Sequence, residues 1–229
     1  MLLEIIATSV EDAIRAEAGG ARRLEVVHDL RRDGLTPPYP LVEAILKSVS
    51  ISIRVMIRPQ NRFHGFSRGE ALLMRQDVRV FCEMGVDGVV IGLLTRDHQP
   101  DIDTLRDILT ERSDIGVTFH RAFDRAADPF RALDALIASG LTDRVLTSAQ
   151  AETAMAGIEL LAALQRAAGD RLRLIAAGGI TPANIARIAA GSGVQEFHVG
   201  RGARTPEAHD GQVDAKKVEQ LVRALETVP

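Results

Sequence analysis

Gly85-Val86-Asp87-Gly88-Val89-Val90-Ile91 is the stretch that decides the fold. It follows a run with apolar residues at helical spacing (Val78, Phe81, Cys82). Gly85 therefore fits the left-handed residue that closes a helix, and the β-branched run behind it reads as a strand buried on both faces. The same unit recurs at Gly19-Gly20 before Leu24-Glu25-Val26-Val27, at Ser139-Gly140 before Arg144-Val145-Leu146-Thr147, and at Gly191-Ser192-Gly193 before Glu196-Phe197-His198-Val199. Helix, tight turn and parallel strand is thus the repeat. Further strand-like runs at Leu3–Ala7, Ile51–Ile57, Gly116–His120 and Leu172–Ala176 bring the count to about eight, which favours a closed parallel (β/α)8 barrel of the TIM type over an open sheet. In such a barrel, function is sought at the carboxyl ends of the strands.

Composition agrees with one domain spanning residues 1–229, since barrels of this kind typically need roughly 250 residues. Hydrophobic residues make up 46% of the chain while aromatics are 3% and tryptophan is absent, so the core must be aliphatic. The net charge of −3, with both signs interspersed, offers no basic footprint for nucleic acid or for an anionic membrane. No apolar run is long enough to span a bilayer, and Met1-Leu2-Leu3-Glu4 puts an acid where a signal peptide is apolar. The expectation is a cytoplasmic protein, compatible with homo-oligomers, acting on a small-molecule or anionic ligand. Cys82 cannot form an internal disulfide and reads as a small packing residue of a helix.

Two helix starts are legible. Thr181-Pro182 and Asp128-Pro129 each place a capping residue before a proline at the first helical position. The segments Arg32–Pro38 and Pro59–Gly69 are the longest irregular connections early in the chain, and such loops carry binding surfaces. Within the second, His64 with Arg62, Phe63 and Phe66 suits a lid. His28-Asp29 reads as an exposed turn or as an acid/base pair.

Alternation along strands puts Thr118 with His120, Glu196 with His198, and Arg54 with Met56 and Arg58 on common faces. Charges inside a barrel are costly unless paired, so Glu4, Glu25, Arg58 and His120 are expected to converge in one polar cluster inside the mouth. That cluster reads either as a structural network or as a catalytic set. In the second case Glu25 and His120 are acid and base, and Arg58 grips an anion bidentately. The runs ending Ala177-Gly178-Gly179 and Val199-Gly200-Arg201 leave backbone N–H groups uncovered on adjacent strands. They look like the phosphate cup of the phosphate-binding barrels, with a helix starting after Thr181-Pro182 and Arg201 as countercharge. Arg121 and Asp124 either clamp a ligand or pair across their loop.

The run Gly116-Val117-Thr118-Phe119-His120-Arg121-Ala122-Phe123-Asp124 resembles the "VTFHRAFD" signature of the CutC family, described as copper homeostasis proteins. Glu25 with Gly34-Leu35-Thr36-Pro37, Met56-Ile57-Arg58-Pro59, Asp87 through Gly92, and Val145-Leu146-Thr147-Ser148 with Gln150 match in the same order, so the resemblance reaches to about Arg201. It implies a (β/α)8 barrel with a pocket for a small molecule or an ion, and it carries the label of copper ion binding. Where family members often carry cysteine near the ends of strands one and two, this chain has Ile6 and Val27. Cu(I) is held by thiolates and thioethers. Any metal site must therefore be assembled by the fold, from His120 and His198 with Glu4 or Glu25, and its metal, like any cofactor, is left unspecified. The candidate ligand-contacting residues are Glu4, Arg121, Asp124, Ser148, Gly178, Gly179, His198, Gly200 and Arg201, around Glu25, His120 and Arg58. Three functions stay open: the copper role, an isomerase, epimerase or lyase acting by proton transfer on a phosphorylated or carboxylated compound, and a catalytically idle binding barrel.

Overall fold

The computed structural model describes residues 1–112 and 114–228. Eight parallel strands close into one barrel in sequence order: β1 (Leu2–Ala7), β2 (Arg23–Val26), β3 (Ser52–Met56), β4 (Gly88–Ile91), β5 (Gly116–Phe119), β6 (Arg144–Thr147), β7 (Arg173–Ala176) and β8 (Glu196–Val199), with β8 pairing back onto β1. Outside them run α1 (Val10–Ala18), α2 (Tyr39–Leu46), α3 (Arg68–Met84), α4 (Ile102–Ile108), α5 (Pro129–Ser139), α6 (Ile158–Ala168), α7 (Ile185–Ser192) and α8 (Ala215–Glu226). A short antiparallel pair, β9 (Arg204–Thr205) and β10 (Gln212–Val213), precedes α8. Among the described residues no helix is long and apolar enough to cross a membrane.

Local chemistry sets most boundaries. Gly85, Gly140 and Gly193 follow α3, α5 and α7 in the left-handed conformation, as the repeat requires; Gly19 instead continues the helical conformation after α1, and Gly20 takes the positive φ of 94°. Asp128 caps α5 by accepting the backbone N–H groups of Phe130 and Arg131, with Pro129 in the first turn. The Thr181-Pro182 expectation is corrected. Regular helix begins only at Ile185, because the Asn184 side chain accepts from the Thr181 N–H and donates to the Gly179 carbonyl, stapling residues 179–184 into a turn.

Residues facing the helices, such as Leu3, Ile5, Leu24, Val55, Val89 and Phe119, are fully buried in one aliphatic core. The alternate residues point into the barrel, where two smaller apolar clusters form, Val27 with Met56 and Val90, and Leu146 with Ile175 and Ala177. Cys82 packs partly buried against the main core, outside the barrel.

The amino-terminal half of the interior is a floor of charges. Arg23 binds Glu4 through Nε and Glu196 through Nη2 at 2.6 Å. Glu196 also accepts from Arg144 Nε at 2.8 Å, and Arg144 joins Asp143. Arg54 completes the chain, donating to Asp143 at 3.0 and 2.8 Å and to the Thr118 hydroxyl at 2.6 Å. Two glycines make room for it: a Cβ at Gly116 would lie 2.1 Å from Arg54 Nη2, and one at Gly88 3.1 Å from its Nε.

Candidate functional site

At the carboxyl ends of the strands a cavity of about 680 Å³ opens. Ile6, Met56, Leu146 and Phe63 supply its apolar wall. The polar wall holds Glu25, Arg58, His120 and His198, and the lip is formed by Gly178 and Gly179 after β7 and by Gly200 and Arg201 after β8. The strands part there. The backbone N–H groups of Gly178, Gly179, Gly200 and Arg201 find no acceptor among the described residues.

His198 links floor to mouth. Its Nδ1 lies 2.7 Å from Glu4 Oε1, and its Nε2 lies 3.7 Å from Glu25 Oε2. Burial pushes the Glu4 carboxyl up, but Arg23 and His198 outweigh it and hold the group well below the usual carboxylate range. An ionised Glu4 keeps the proton on Nδ1 and turns Nε2 toward Glu25. Burial opposes the charged imidazolium, yet Glu25 and Glu4 overcome it and raise the pKa of His198. Glu25 is different. Burial pushes its carboxyl up to about 7, Glu4 adds to the rise, and His198, Arg23 and Arg58 only partly offset it. Its Oε1 is buried and unpartnered.

His120 ends β5, with Nδ1 accepting the Ala122 N–H at 3.1 Å. Burial and the charge of Arg58 press its pKa down to about 3. The ring is therefore neutral near pH 7, its proton sits on Nε2, and it acts as a hydrogen-bond donor. Gly92 grants the ring its place, since a Cβ there would come 2.4 Å from Nδ1.

The mouth differs from the sequence expectation at several positions. Glu4 does not line the cavity; it lies one layer deeper, bound to Arg23 and His198. Arg58 is no bidentate anion clamp. Its Nη1 donates to the carbonyls of Asp33 at 3.1 Å and Gly34 at 3.3 Å, its Nη2 to the Asn61 side chain, and its guanidinium packs 4.8 Å from the Phe63 ring centre. His120 Nδ1 is taken by the Ala122 N–H, and burial with the charge of Arg58 lowers its basicity, so the ring is better suited to donate a hydrogen bond than to act as the base. Ser148 is buried behind the wall, bonded to Asp124, Arg121 and the Ala151 carbonyl. Arg121 and Asp124 pair with each other at 2.8 Å, and both line the cavity. His28-Asp29 forms a turn that bridges to Leu35 and stays outside the cavity. In the loop after β3 it is Phe63, packed edge-on to His120 at 5.7 Å, that enters the wall, while His64 does not. The aromatic scarcity of the chain was the available signal for Phe63. The sequence reading also passed over Arg125, Glu152 and Glu207, which lie on strand-end loops with no motif around them.

Glu4, Glu25 and His198 present one ligand atom each within 4.8 Å of one another. This donor set is hard, two carboxylates and one nitrogen, and Glu4 already carries Arg23. Among the described residues lining the cavity, the one sulfur is the Met56 thioether. A cuprous ion needs soft sulfur ligands, so the residues present do not fit it.

A family model described as the CutC family matches residues 1–203. A relative from Xanthomonas campestris pv. campestris strain B100, named a family protein CutC, is 37% identical over 240 residues, which cover 99% of this chain and all of the relative. One of the same name from Chromobacterium violaceum is 41% identical over 197 residues, 86% of this chain and 79% of the relative. Among solved structures, the putative copper homeostasis protein CutC from Streptococcus agalactiae superposes with a TM-score of 0.83 at 28% identity, covering 87% of this chain and 98% of that one. Phosphoribosylanthranilate isomerase from Pyrococcus furiosus, at a TM-score of 0.64 and 16% identity with both chains fully covered, shares the barrel fold.

Proposed function

The chain belongs to the CutC family, and from that premise we propose that its working site is the cavity at the carboxyl mouth of the barrel, where it binds a small anionic organic molecule. The observation that carries this reading is unmet hydrogen-bonding capacity. Glu25 Oε1 and the N–H groups of Gly178, Gly179, Gly200 and Arg201 face an open volume of about 680 Å³ without partners. Glu25 Oε1, buried and unpaired, costs stability that a bound ligand recovers, and the half-buried to exposed lip N–H groups add free donors. Glycine N–H groups and nearby guanidinium groups favour a phosphate or carboxylate on the side of β7 and β8. A cuprous role finds no soft donor set among the described residues of this cavity.

A second reading adds chemistry at the same place, and the raised pKa of Glu25 favours it. A carboxyl near 7 in a cavity is matched to proton transfer at neutral pH. Glu25 takes or returns a proton, His198 shares it across 3.7 Å, and neutral His120 donates to an oxygen of the ligand. This is the chemistry of an isomerase, epimerase or lyase.

Thermal denaturation with inorganic phosphate and with small phosphorylated and carboxylated compounds tests the first reading, because a ligand at a hundred times its dissociation constant adds about 2.7 kcal/mol. We expect saturable stabilisation by at least one anion class, and none by Cu(I) in competition with a strong cuprous chelator. A stoichiometric Cu(I) complex that resists the chelator, with no anion effect, contradicts the proposal. For the second reading, a ligand found in this way exchanges a carbon-bound proton for deuterium in heavy water, and Glu25→Gln abolishes the exchange; exchange unaffected by that substitution rejects it.

A further inference from the structure

We infer that Arg121, locked in place by Asp124 and Ser148, is the cation that receives a phosphate group in the cavity, and that Asp124 is its positioning residue. The inference rests on the reading that the cavity takes an anion. Arg121 follows His120 directly, in the short turn Arg121–Arg125. Its Nε donates to Asp124 Oδ2 at 2.8 Å and its Nη2 to Ser148 Oγ at 2.7 Å, while Nη1 makes no hydrogen bond among the described residues. The side chain is 43% exposed and lines the cavity. It is a guanidinium with one edge fixed to the protein and the other free.

The fixing is deliberate in its economy of groups. Asp124, only 7% exposed, also accepts from the Thr147 hydroxyl, from Ser148 through N–H at 3.1 Å and hydroxyl at 3.0 Å, and from the Gln150 N–H at 3.1 Å. These bonds hold Ala149 and Gln150 in successive left-handed conformations, φ 55° and 59°. Two neighbouring non-glycine residues in that region persist only where the surroundings over-determine them. One carboxylate therefore shapes the turn after β6 and aims Arg121.

Arg121 and the glycine lip line the same cavity. A Cβ at Gly178 would lie 3.3 Å from the Cβ of Ser148, the residue whose hydroxyl holds Nη2. Arg121, with its free guanidinium edge, and Gly178 and Gly179, whose N–H groups find no acceptor among the described residues, border one cavity, an arrangement that suits the several oxygens of a phosphate. The rival cations are less suited. Arg58 gives its amino groups to main-chain carbonyls and Asn61, and keeps only its buried Nε unpartnered, a single donor. Arg125 and Arg201 are exposed at the rim, where Glu152 and Glu207 also stand, and binding must first order their side chains.

Calorimetric titration of the full-length protein with inorganic phosphate tests this. Arg121→Met is expected to weaken phosphate binding by about tenfold or more, and Arg201→Met by less than about threefold. Asp124→Asn is expected to weaken it as well, and adding it to Arg121→Met should cause no further loss, because an aiming residue has nothing left to aim. A structural defect alone would weaken the double variant beyond the single one. Should Asp124→Asn fail to fold, Arg121→Lys serves in its place: an ammonium cannot hold Asp124 and Ser148 and still present a free edge, so it too should bind phosphate weakly. Phosphate binding that survives Arg121→Met but is lost in Arg201→Met overturns the assignment while leaving the anion reading standing. No phosphate binding by the unsubstituted protein overturns the assignment, and the anion reading falls with it when carboxylated compounds do not stabilise the protein either.

Discussion

The floor and the mouth of this barrel are built from the same residue types and differ in what is left over. On the floor Glu4, Arg23, Arg54, Asp143, Arg144 and Glu196 form a chain of ion pairs in which each carboxylate meets at least one guanidinium. In the mouth Glu25 keeps an orphan oxygen, Arg121 keeps a free edge, and the glycine lip keeps unpaired N–H groups. Of the floor groups only Arg54 Nε is buried without a partner among the described residues, and it lies away from the cavity, whereas unmet groups that line a cavity mark where a ligand completes them. Burial of charge alone therefore does not identify a site. The division is drawn by whether the unmet groups line a cavity.

The largest effect should come from breaking the floor. Arg23→Ala leaves Glu4 buried without its guanidinium, while Glu196 keeps Arg144, and should cost about 3–5 kcal/mol in urea denaturation. A loss below about 1 kcal/mol would mean that the floor is no more than a surface-like set of ion pairs, and the contrast would collapse.

Glu25 offers the opposite sign. Its carboxyl keeps a proton to about pH 7 in the folded protein, against an ordinary value of 4.5. Between those values the unfolded chain holds fewer protons than the native one, so stability falls as pH rises, by up to about 3 kcal/mol. His198, with its raised pKa, works in the same direction: its contribution is present at lower pH and fades as pH passes its folded value. Glu25→Gln should flatten the decline between pH 5 and pH 8 and leave the variant more stable than the parent at pH 8. Parallel profiles would place Glu25 among the satisfied groups.

Gly116→Ala and Gly92→Ala sharpen the comparison further, since each added methyl invades a polar group, at 2.1 Å from Arg54 Nη2 and 2.4 Å from His120 Nδ1. Both should cost about 1–3 kcal/mol as overpacking. The floor substitution should leave anion binding intact if the two regions are independent, and the mouth substitution should weaken it by turning His120. The smallest effect belongs to neither region: Glu219→Gln on α8 breaks an exposed pair with Arg223 and should change stability by less than about 0.5 kcal/mol.

Much of the barrel could be read from the chain because its strands are short apolar runs bounded by glycine turns, which are local signals. All eight expected strands appear within one residue of their expected ends. The mouth was legible as a set of residue types on strand ends, but its connections were not. Arg58 looked like an anion clamp because the carbonyls of Asp33 and Gly34 that occupy it belong to a loop whose path no pattern records. Glu4 looked like a mouth residue because alternation gives the face of a strand and not the depth, which follows from the stagger of β1 against β2 and β8. Thr181-Pro182 carried a helix-start pattern that Asn184 overrode. The glycine lip also excludes an obvious probe. Gly179 has φ 65°, and a Cβ there would lie 2.8 Å from Thr153 Cγ2, so a leucine at this position would disturb the turn itself as well as any anion.

The most direct test is a carboxyl-carbon NMR titration of the glutamate side chains. The account predicts that Glu25 titrates near 7 while Glu4 stays ionised through the ordinary carboxylate range. It also predicts that saturation with a bound anion shifts the Glu25 resonance and leaves those of Glu4 and Glu196 in place. Glu25 titrating near 4.5 together with Glu4, indifferent to every anion tried, would show that floor and mouth are one satisfied network and that the cavity is not a site.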